Sequence, residues 1–122
     1  GFDDLIIGAT GDDRNISSVG QSYVVFGKAG GFPANLDLAN LNGSNGFRLD
    51  GIDAGDYSGR SVSAAGDVNG DGFDDVLIGA FRADPGGDSQ AGESYVVFGK
   101  SGGFLCNFNI FIANCIYITV SY

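Results

Sequence analysis

An all-β fold of short strands joined by tight turns is predicted from three features of the sequence. Glycine accounts for 22 of the 122 residues, about 18% against a usual value of roughly 7%. The glycines separate short runs of Val, Ile, Tyr and Phe, which is typical of strands bounded by turns. No stretch of ten residues shows helical periodicity. Apolar residues make up 43% of the chain, which is enough for a packed core.

The sequence contains one internal repeat. GFDDLIIGA at the N-terminus returns 71 residues later as GFDDVLIGA, and SYVVFGK returns unchanged after 72 residues. The segment between these strings differs in sequence and length between the two copies, as expected for a surface loop that joins two strands. Self-similarity at a fixed period indicates a repeat architecture.

One period contains four candidate strands, at residues 45–51, 59–68, 74–80 and 94–99. The last two are continuous apolar runs, so both of their faces are expected to be covered. The second (GRSVSAAGDV) consists of small residues and suits the innermost position, where neighbouring sheets converge. Four strands per repeat, with stacked sheets, is the arrangement of a β-propeller blade. A solenoid or a stacked sandwich would also cover both faces, but the period is long for either.

The length of the chain restricts this prediction to a fragment. At this period the 122 residues hold about 1.7 four-stranded blades, whereas propellers close with about 4–8. We expect a partial first repeat at residues 1–44, a second repeat at residues 45–104 and an atypical hydrophobic tail at residues 105–122. The chain is expected either to be joined to further blades of the same parent chain or to self-associate to complete a propeller.

The stretch GDVNGDGFDDVLIGA, at residues 66–80, predicts a calcium site. Oxygen ligands recur at alternate positions of the loop and come from Asp67, Asn69, Asp71, the main-chain carbonyl of Phe73, and Asp75. Alternate positions of a tight loop converge on one interior point, and glycines at 70 and 72 let the chain wrap around it. Five flexible oxygen ligands suit Ca²⁺ better than Mg²⁺, which keeps its waters. Zinc is not expected, because no His or Cys is nearby.

The loop is not an EF-hand, because its twelfth position is Ile78 within an apolar run, where an EF-hand has a bidentate Glu. An alternative is that Asn69-Gly70 is only a hairpin turn, although a turn needs no acids at the first, fifth and ninth positions. Asp74 is expected to be solvated. The GFDD string at the N-terminus matches the second half of the same loop, so Asp4 is expected to be the remnant of a second, incomplete site.

The repeat resembles the FG-GAP repeat of integrin α-chain propellers and of many bacterial surface and secreted proteins. The resemblance rests on SGRSVSAAGDVNGDGFDDVLIGA and ESYVVFGK, and it covers residues 1–104. Phe98-Gly99 and Gly79-Ala80 correspond to the two halves of the family's name. The resemblance implies that one repeat is one blade and that the aspartate loop binds calcium. Proline often follows Gly-Ala in the family, but Thr10 and Phe81 stand at these positions here.

Several classes of function are not expected. The net charge is −9 and the six basic residues are scattered, which argues against a nucleic acid partner. The chain lacks histidine and has no serine or cysteine in a nucleophile context, so it is not expected to be an enzyme. The resemblance implies a calcium-binding structural and adhesion-type module, secreted or at the cell surface, whose full propeller binds a protein or cell-surface ligand. The alternatives are the non-catalytic propeller portion of a secreted hydrolase or phospholipase, and a degenerate fragment without activity.

The C-terminal tail departs from the repeat. After Phe104 the sequence LCNFNIFIANCIYITVSY contains both cysteines, Cys106 and Cys115. Its apolar stretch is interrupted by asparagines and is shorter than the roughly 20 residues of a membrane helix, so no membrane span is expected. Its β-branched residues favour a strand. The N-glycosylation sequons at Asn15 and Asn42 are interpreted as chance matches.

Overall fold

The structure, a computed structural model, describes residues 1–11, 18–87 and 89–99, so the tail and the sequon at Asn15 lie outside the described residues. The strands are β1 (Leu5–Ala9), β2 (Gln21–Val25), β3 (Gly46–Asp50), β4 (Ser58–Gly66), β5 (Asp75–Ala80) and β6 (Glu93–Val97). Two 3-10 turns, Leu38–Asn40 and Pro85–Gly87, are the helical elements of this part of the chain. The all-β prediction is confirmed for the described residues. Among the same residues, no helix has the length and apolar character of a membrane span.

The strands form two antiparallel three-stranded sheets. Sheet 1 has the order β1-β2-β3 and sheet 2 has the order β4-β5-β6. The sequence repeat relates β1 to β5 and β2 to β6, and the registers agree: Leu5 pairs with Val25 as Val76 pairs with Val97. The repeat in sequence is therefore also a repeat in structure.

The position of β3 differs from the sequence expectation. Residues 45–51 were expected to open the second repeat, but β3 pairs along its whole length with β2 in sheet 1. Each sheet therefore has three strands within the described residues, rather than four. Sequential strands usually lie next to each other in a sheet, and here β3 pairs with the strand before it although the connection at residues 26–45 is longer than the one at residues 51–57. The length of a sequence period carries no information about where a sheet begins. The sheet boundaries therefore differ from the repeat boundaries expected from the sequence.

The hydrophobic core lies between the two sheets. Its buried residues come from both, namely Val24, Phe47 and Leu49 of sheet 1, and Val76, Ile78, Ala80, Tyr95 and Val97 of sheet 2, with Ala83 just after β5. The rings of Phe26 and Phe47 extend it, with centroids 5.9 Å apart. The apolar run of β5 was expected to be covered on both faces, but Leu77 on its other face is 39% exposed. Each sheet thus buries one face against the other.

Strands β1 and β4 approach each other very closely where the sheets meet. A Cβ atom on Gly8 would lie 2.1 Å from the carbonyl oxygen of Gly59, so only glycine fits there. Nearby, Gly20 forms a parallel bridge with Ser58, whose backbone N–H donates to the Val19 carbonyl at 3.3 Å. Backbone contacts as well as apolar side chains therefore hold the first strand of sheet 2 against sheet 1.

Gly8→Ala is expected to lower the free energy of unfolding by about 1–3 kcal/mol, the usual cost of overpacking. The new Cβ would overlap the rigid carbonyl of Gly59 and push the sheets apart. Gly79→Ala is the matched control, since Gly79 is the repeat equivalent of Gly8 and a Cβ there would meet the Ser61 hydroxyl, which can rotate away. Urea unfolding followed by circular dichroism compares them. Equal losses would contradict the importance of the β1–β4 contact.

Candidate metal centre

The acidic loop connects β4 to β5 and lies on the surface, with residues 67–74 all exposed. It begins where the β4–β5 register shifts, between Ala64 and Gly66. Gly70 and Gly72 have φ values of 76° and 91°, in the left-handed region that glycine adopts without strain. The chain therefore turns back on itself within a few residues, as the loop sequence predicts.

Asp67 closes the loop. Its Oδ1 accepts hydrogen bonds from the backbone N–H groups of Gly70, at 2.7 Å, and Asp71, at 3.0 Å. Its Oδ2 accepts a third from the N–H of Gly72, at 2.8 Å. Bonds from N–H groups to an ionised carboxylate are stronger than bonds between neutral groups, so one side chain at the first position organises the turn.

Asn69 and Asp71 bond to each other and to the adjoining backbone. Asn69 Oδ1 accepts from the backbone N–H of Asp71 at 2.9 Å, and Asn69 Nδ2 donates to Asp71 Oδ2 at 3.0 Å. Asp71 Oδ1 accepts from the N–H of Phe73 at 3.0 Å, and the Phe73 side chain is 40% exposed. A carboxylate oxygen has two lone pairs, so each Asp71 oxygen retains acceptor capacity.

Asp75 differs from the other loop acids because it is buried, with 1% of its surface exposed. Its Oδ2 accepts from the backbone N–H of Val68 at 2.9 Å, and its Oδ1 accepts from the N–H of Gly99 at 2.8 Å. It thereby joins the start of the loop to the segment that follows β6. Because an unpaired buried carboxylate is very costly, both bonds are needed. We call the bond between this carboxylate and the Gly99 N–H the Asp–Gly latch.

The first repeat contains the same latch. Asp4 Oδ1 accepts from the backbone N–H of Gly27 at 2.8 Å, and these residues are the repeat equivalents of Asp75 and Gly99. The latch glycine must lack a side chain, since a Cβ on Gly27 would lie 2.3 Å from the carbonyl oxygen of Asp3, and one on Gly99 would lie 2.4 Å from the equivalent carbonyl. In each repeat, the last Asp of the F-D-D string therefore accepts a hydrogen bond from the Gly of the F-G string.

The predicted ligands lie on one loop, but their carboxylates do not converge. No group of three His, Cys, Asp or Glu side chains among residues 1–11, 18–87 and 89–99 is placed to hold a metal ion. The carboxylates of Asp67 and Asp71 turn towards backbone N–H groups instead. Within the described residues, the structure shows an ion pair in sheet 1, between Arg48 Nε and Asp50 Oδ1, which are 2.8 Å apart. No basic side chain is thus seen to offset the charge of the loop.

The chemistry of the donor set nevertheless fits a hard cation. Three carboxylates and one amide oxygen are ligands of the kind that Ca²⁺ takes. Like charges on a short loop repel one another, and a divalent ion would convert this repulsion into attraction. Asp4 accepts the latch hydrogen bond of the first repeat, so it has a structural contact. The other acidic positions of its loop are not among the described residues.

A second group of acids, which the sequence analysis did not identify, lies at the opposite end of sheet 2. Asp56, just before β4, is 8% exposed. Burial raises its pKa above the ordinary 3.8, and the nearby charges of Asp53, Asp84 and Glu93 raise it further. Burial and a hydrogen bond to Glu93 raise the pKa of the Tyr95 hydroxyl. These acids come from three separate segments, the β3–β4 connection, the β5–β6 connection and the start of β6, without a regular spacing, so sequence alone offered no signal.

Comparison with known proteins points to the same part of the chain. A family model described as FG-GAP repeat matches residues 58–97, which run from the start of β4 to the end of β6 and include the acidic loop. Integrin alpha-5 of Xenopus laevis is 32% identical over 109 residues, which cover 84% of this chain and 9% of the integrin. The chain thus spans less than a tenth of the length of this relative.

Asp75→Asn is expected to lower the free energy of unfolding by about 1–3 kcal/mol, the cost of leaving a buried hydrogen-bonding group unsatisfied. An amide has one acceptor oxygen, whereas two backbone N–H groups need one each. Asp74→Asn, at the exposed neighbouring position, is the control. Thermal melts of both variants in excess EGTA separate this loss from any effect of calcium. If the two variants were equally stable, Asp75 would not hold the loop and the β6 end together.

Asp56→Asn is expected to stabilise the protein at neutral pH. A carboxyl whose pKa is raised by folding binds protons more readily when folded, so its contribution to stability falls as pH rises from about 3.8 through the raised value. The neutral amide removes this penalty. Thermal melts across a series from acidic to neutral buffers should show the variant gaining on the wild type as pH rises. Parallel curves would be evidence against the burial and repulsion assigned to Asp56.

Proposed function

Residues 58–97 match the FG-GAP repeat family, and from this premise we propose that the chain is a calcium-stabilised interaction module of an integrin-like β-propeller. The observation that carries the proposal is the acidic loop within the matched repeat. Asp67 closes it with three backbone hydrogen bonds, and the loop carboxylates have no basic partner among the described residues. A loop that concentrates charge in this way gains most from a bound cation.

The two sheets support a blade of four strands. Sheet 2 has β4 before the pair β5–β6, and sheet 1 has β3 after the equivalent pair β1–β2. Superposing the equivalent pairs gives one antiparallel series: a β4-type strand, the two repeated strands and a β3-type strand. Four strands per sheet is the number in a propeller blade. Each sheet of this chain then corresponds to three strands of one blade, and their face-to-face packing corresponds to the contact between adjacent blades.

The proposed calcium ligands are Asp67, Asn69, Asp71 and Asp75, with the main-chain carbonyl of Phe73. The bound ion would supply positive charge to the loop. Asp67 sets the turn, and Asp71 keeps acceptor capacity on both of its oxygens. Asp75 is tied to Val68 and Gly99, so it would connect the ion to the end of β6.

The similarity to an integrin α chain supports a role in binding rather than in catalysis. We propose that the complete propeller binds a protein or cell-surface ligand and lies outside the cell. An affinity for calcium of about 10⁻⁴–10⁻³ M, typical of extracellular modules, suits such a setting, where the site would be filled continuously. Calcium would then be a permanent part of the fold and not a signal.

Calcium is expected to raise the melting temperature of the chain relative to EGTA. Saturation at about a hundredfold excess over Kd would add about 2.7 kcal/mol to the free energy of unfolding. Asp71→Ala should abolish this response, since it removes a ligand while leaving both bonds of Asp75 in place. Asp74→Ala should retain the response, because this adjacent exposed acid lies outside the alternating ligand set.

Differential scanning calorimetry with calcium and with EGTA measures these effects. Equal melts of the wild type under the two conditions would refute the calcium proposal, and so would a normal response in Asp71→Ala. A chain with no cooperative melt in either condition would point to the degenerate fragment instead.

A further inference from the structure

Asparagine is followed directly by glycine at three places in the chain, which are Asn42-Gly43, Asn45-Gly46 and Asn69-Gly70. In such a pair the backbone nitrogen of the glycine can attack the side-chain amide of the asparagine and close a five-membered ring. Glycine favours the attack because its backbone adopts conformations that other residues resist. The three pairs are alike in sequence, but their hydrogen bonds in the structure differ.

The side-chain carbonyl of Asn42 is held by two donors of one residue. Asn42 Oδ1 accepts from the backbone N–H of Ser44 at 3.0 Å and from the Ser44 hydroxyl at 2.7 Å. Negative charge develops on this oxygen when a nucleophile attacks the adjoining carbon, so the two donors are arranged as in an oxyanion hole. Within the described part of the chain Asn42 Nδ2 donates no hydrogen bond, so nothing there retains the nitrogen that must leave.

The nucleophile for this amide is the backbone nitrogen of Gly43, which lies in an open turn. Its φ is 89°, and a Cβ atom on it would meet no neighbour within 4 Å. Its N–H donates to the carbonyl of Gly46 at 2.9 Å, and this bond must open before the nitrogen reacts. Residues 42–45 are exposed, so water replaces the lost partner and the opening costs little.

The pair Asn45-Gly46 is restrained by the start of β3. Asn45 Oδ1 accepts from the backbone N–H of Asn42 at 2.9 Å, and Asn45 Nδ2 donates to the carbonyl of Asn40 at 3.1 Å. Gly46 is buried and pairs with Val25 in sheet 1. Cyclisation at this pair would therefore break side-chain hydrogen bonds and disturb the β2–β3 ladder.

The pair Asn69-Gly70 is restrained by carboxylates of the acidic loop. Asn69 Nδ2 donates to Asp71 Oδ2 at 3.0 Å, so the leaving nitrogen is held. The N–H of Gly70 donates to Asp67 Oδ1 at 2.7 Å, and a bond to an ionised acceptor is stronger than one to a neutral carbonyl. The negative charges also oppose the loss of a proton from the attacking nitrogen.

We propose that Asn42 is a site of spontaneous deamidation, assisted by Ser44. The Gly43 nitrogen gives its proton to a base in the solvent and bonds to Asn42 Cγ, while both Ser44 donors stabilise the charge on Oδ1. When the carbonyl reforms, the Cγ–Nδ2 bond breaks, and the nitrogen takes a proton from water and leaves as ammonia. Water then opens the cyclic imide at either carbonyl, adding hydroxyl to the carbon and hydrogen to the ring nitrogen.

The product is aspartate or isoaspartate at position 42, in the connection between β2 and β3. Either product adds one negative charge to the net charge of −9. Isoaspartate also places one additional carbon atom in the main chain. Calcium takes no part in the reaction, because residues 42–45 lie outside the acidic loop.

Mass spectrometry of the full chain, incubated at neutral pH and digested with trypsin, tests the proposal. Residues 29–48 form one peptide and residues 61–82 another, and fragment ions assign each conversion to one asparagine. A digest at zero time corrects for conversion during handling. Asn42 should convert at least about tenfold faster than Asn45, because each hydrogen bond broken at Asn45 slows its reaction by about two- to tenfold.

The same chain in urea is the control, since the three pairs should react at similar rates once these hydrogen bonds are lost. Sampling continues until half of the most reactive asparagine has converted. Faster conversion of Asn45 or Asn69 than of Asn42 in the folded chain would overturn the proposal. So would a ratio of rates that is the same in the folded chain and in urea.

Two variants test the contribution of the Ser44 hydroxyl. Ser44→Ala removes one of the two donors and should slow the conversion of Asn42 by about two- to tenfold. Ser44→Thr keeps a hydroxyl and should retain most of the rate. Asn69 is the internal reference and should convert equally in all forms, and circular dichroism checks their folding. An unchanged rate at Asn42 in Ser44→Ala, or an equal loss in Ser44→Thr, would contradict the role assigned to Ser44.

Discussion

A buried carboxylate at the first residue of β5 is the constraint on which the rest of sheet 2 depends. Asp75 accepts one hydrogen bond from the acidic loop and one from the segment after β6, so it fixes three parts of the chain at once. Its burial makes both bonds necessary, because a charge removed from water must be compensated. The equivalent bond in sheet 1 runs from the Gly27 N–H to Asp4, which is exposed. The fold therefore repeats a polar contact as faithfully as it repeats its apolar strands.

The acids of the aspartate loop differ in exposure, and their roles differ accordingly. Asp75 is enclosed and each of its oxygens accepts one backbone hydrogen bond, whereas Asp67 and Asp71 lie on the surface. Such a site would combine one rigid, buried ligand, Asp75, with two exposed ligands, Asp67 and Asp71, that can adjust their positions. Calcium accepts irregular oxygen geometry at this kind of site more readily than magnesium does. The proposed role of the ion is thus to complete a loop that the protein has already closed.

Much of this structure was predictable from sequence because the repeat made each strand visible twice. The bounds of β5 and β6 fall within two residues of the predicted ones, and the turns at Gly70 and Gly72 lie where the loop pattern places them. The latch was missed because the spacing assigned Asp75 a ligand role, and sequence spacing carries no information on burial. The placement of β3 was missed because a period has no natural starting point. The acids around Asp56 were missed because only the folded chain brings them together.

The offset of β3 has a practical consequence for anyone who divides such an array into pieces. A boundary drawn from the sequence period, before residue 45, removes from β2 the strand that covers its outer edge. The excised piece would then expose unpaired backbone N–H and C=O groups, which recruit other chains and favour aggregation. A cut after β3, in the connection that leads to β4, keeps β2 and β3 paired, although it separates the sheets at the Gly20–Ser58 bridge. An array is therefore better divided between sheets than at the sequence period, and a piece that keeps a core needs at least two neighbouring sheets.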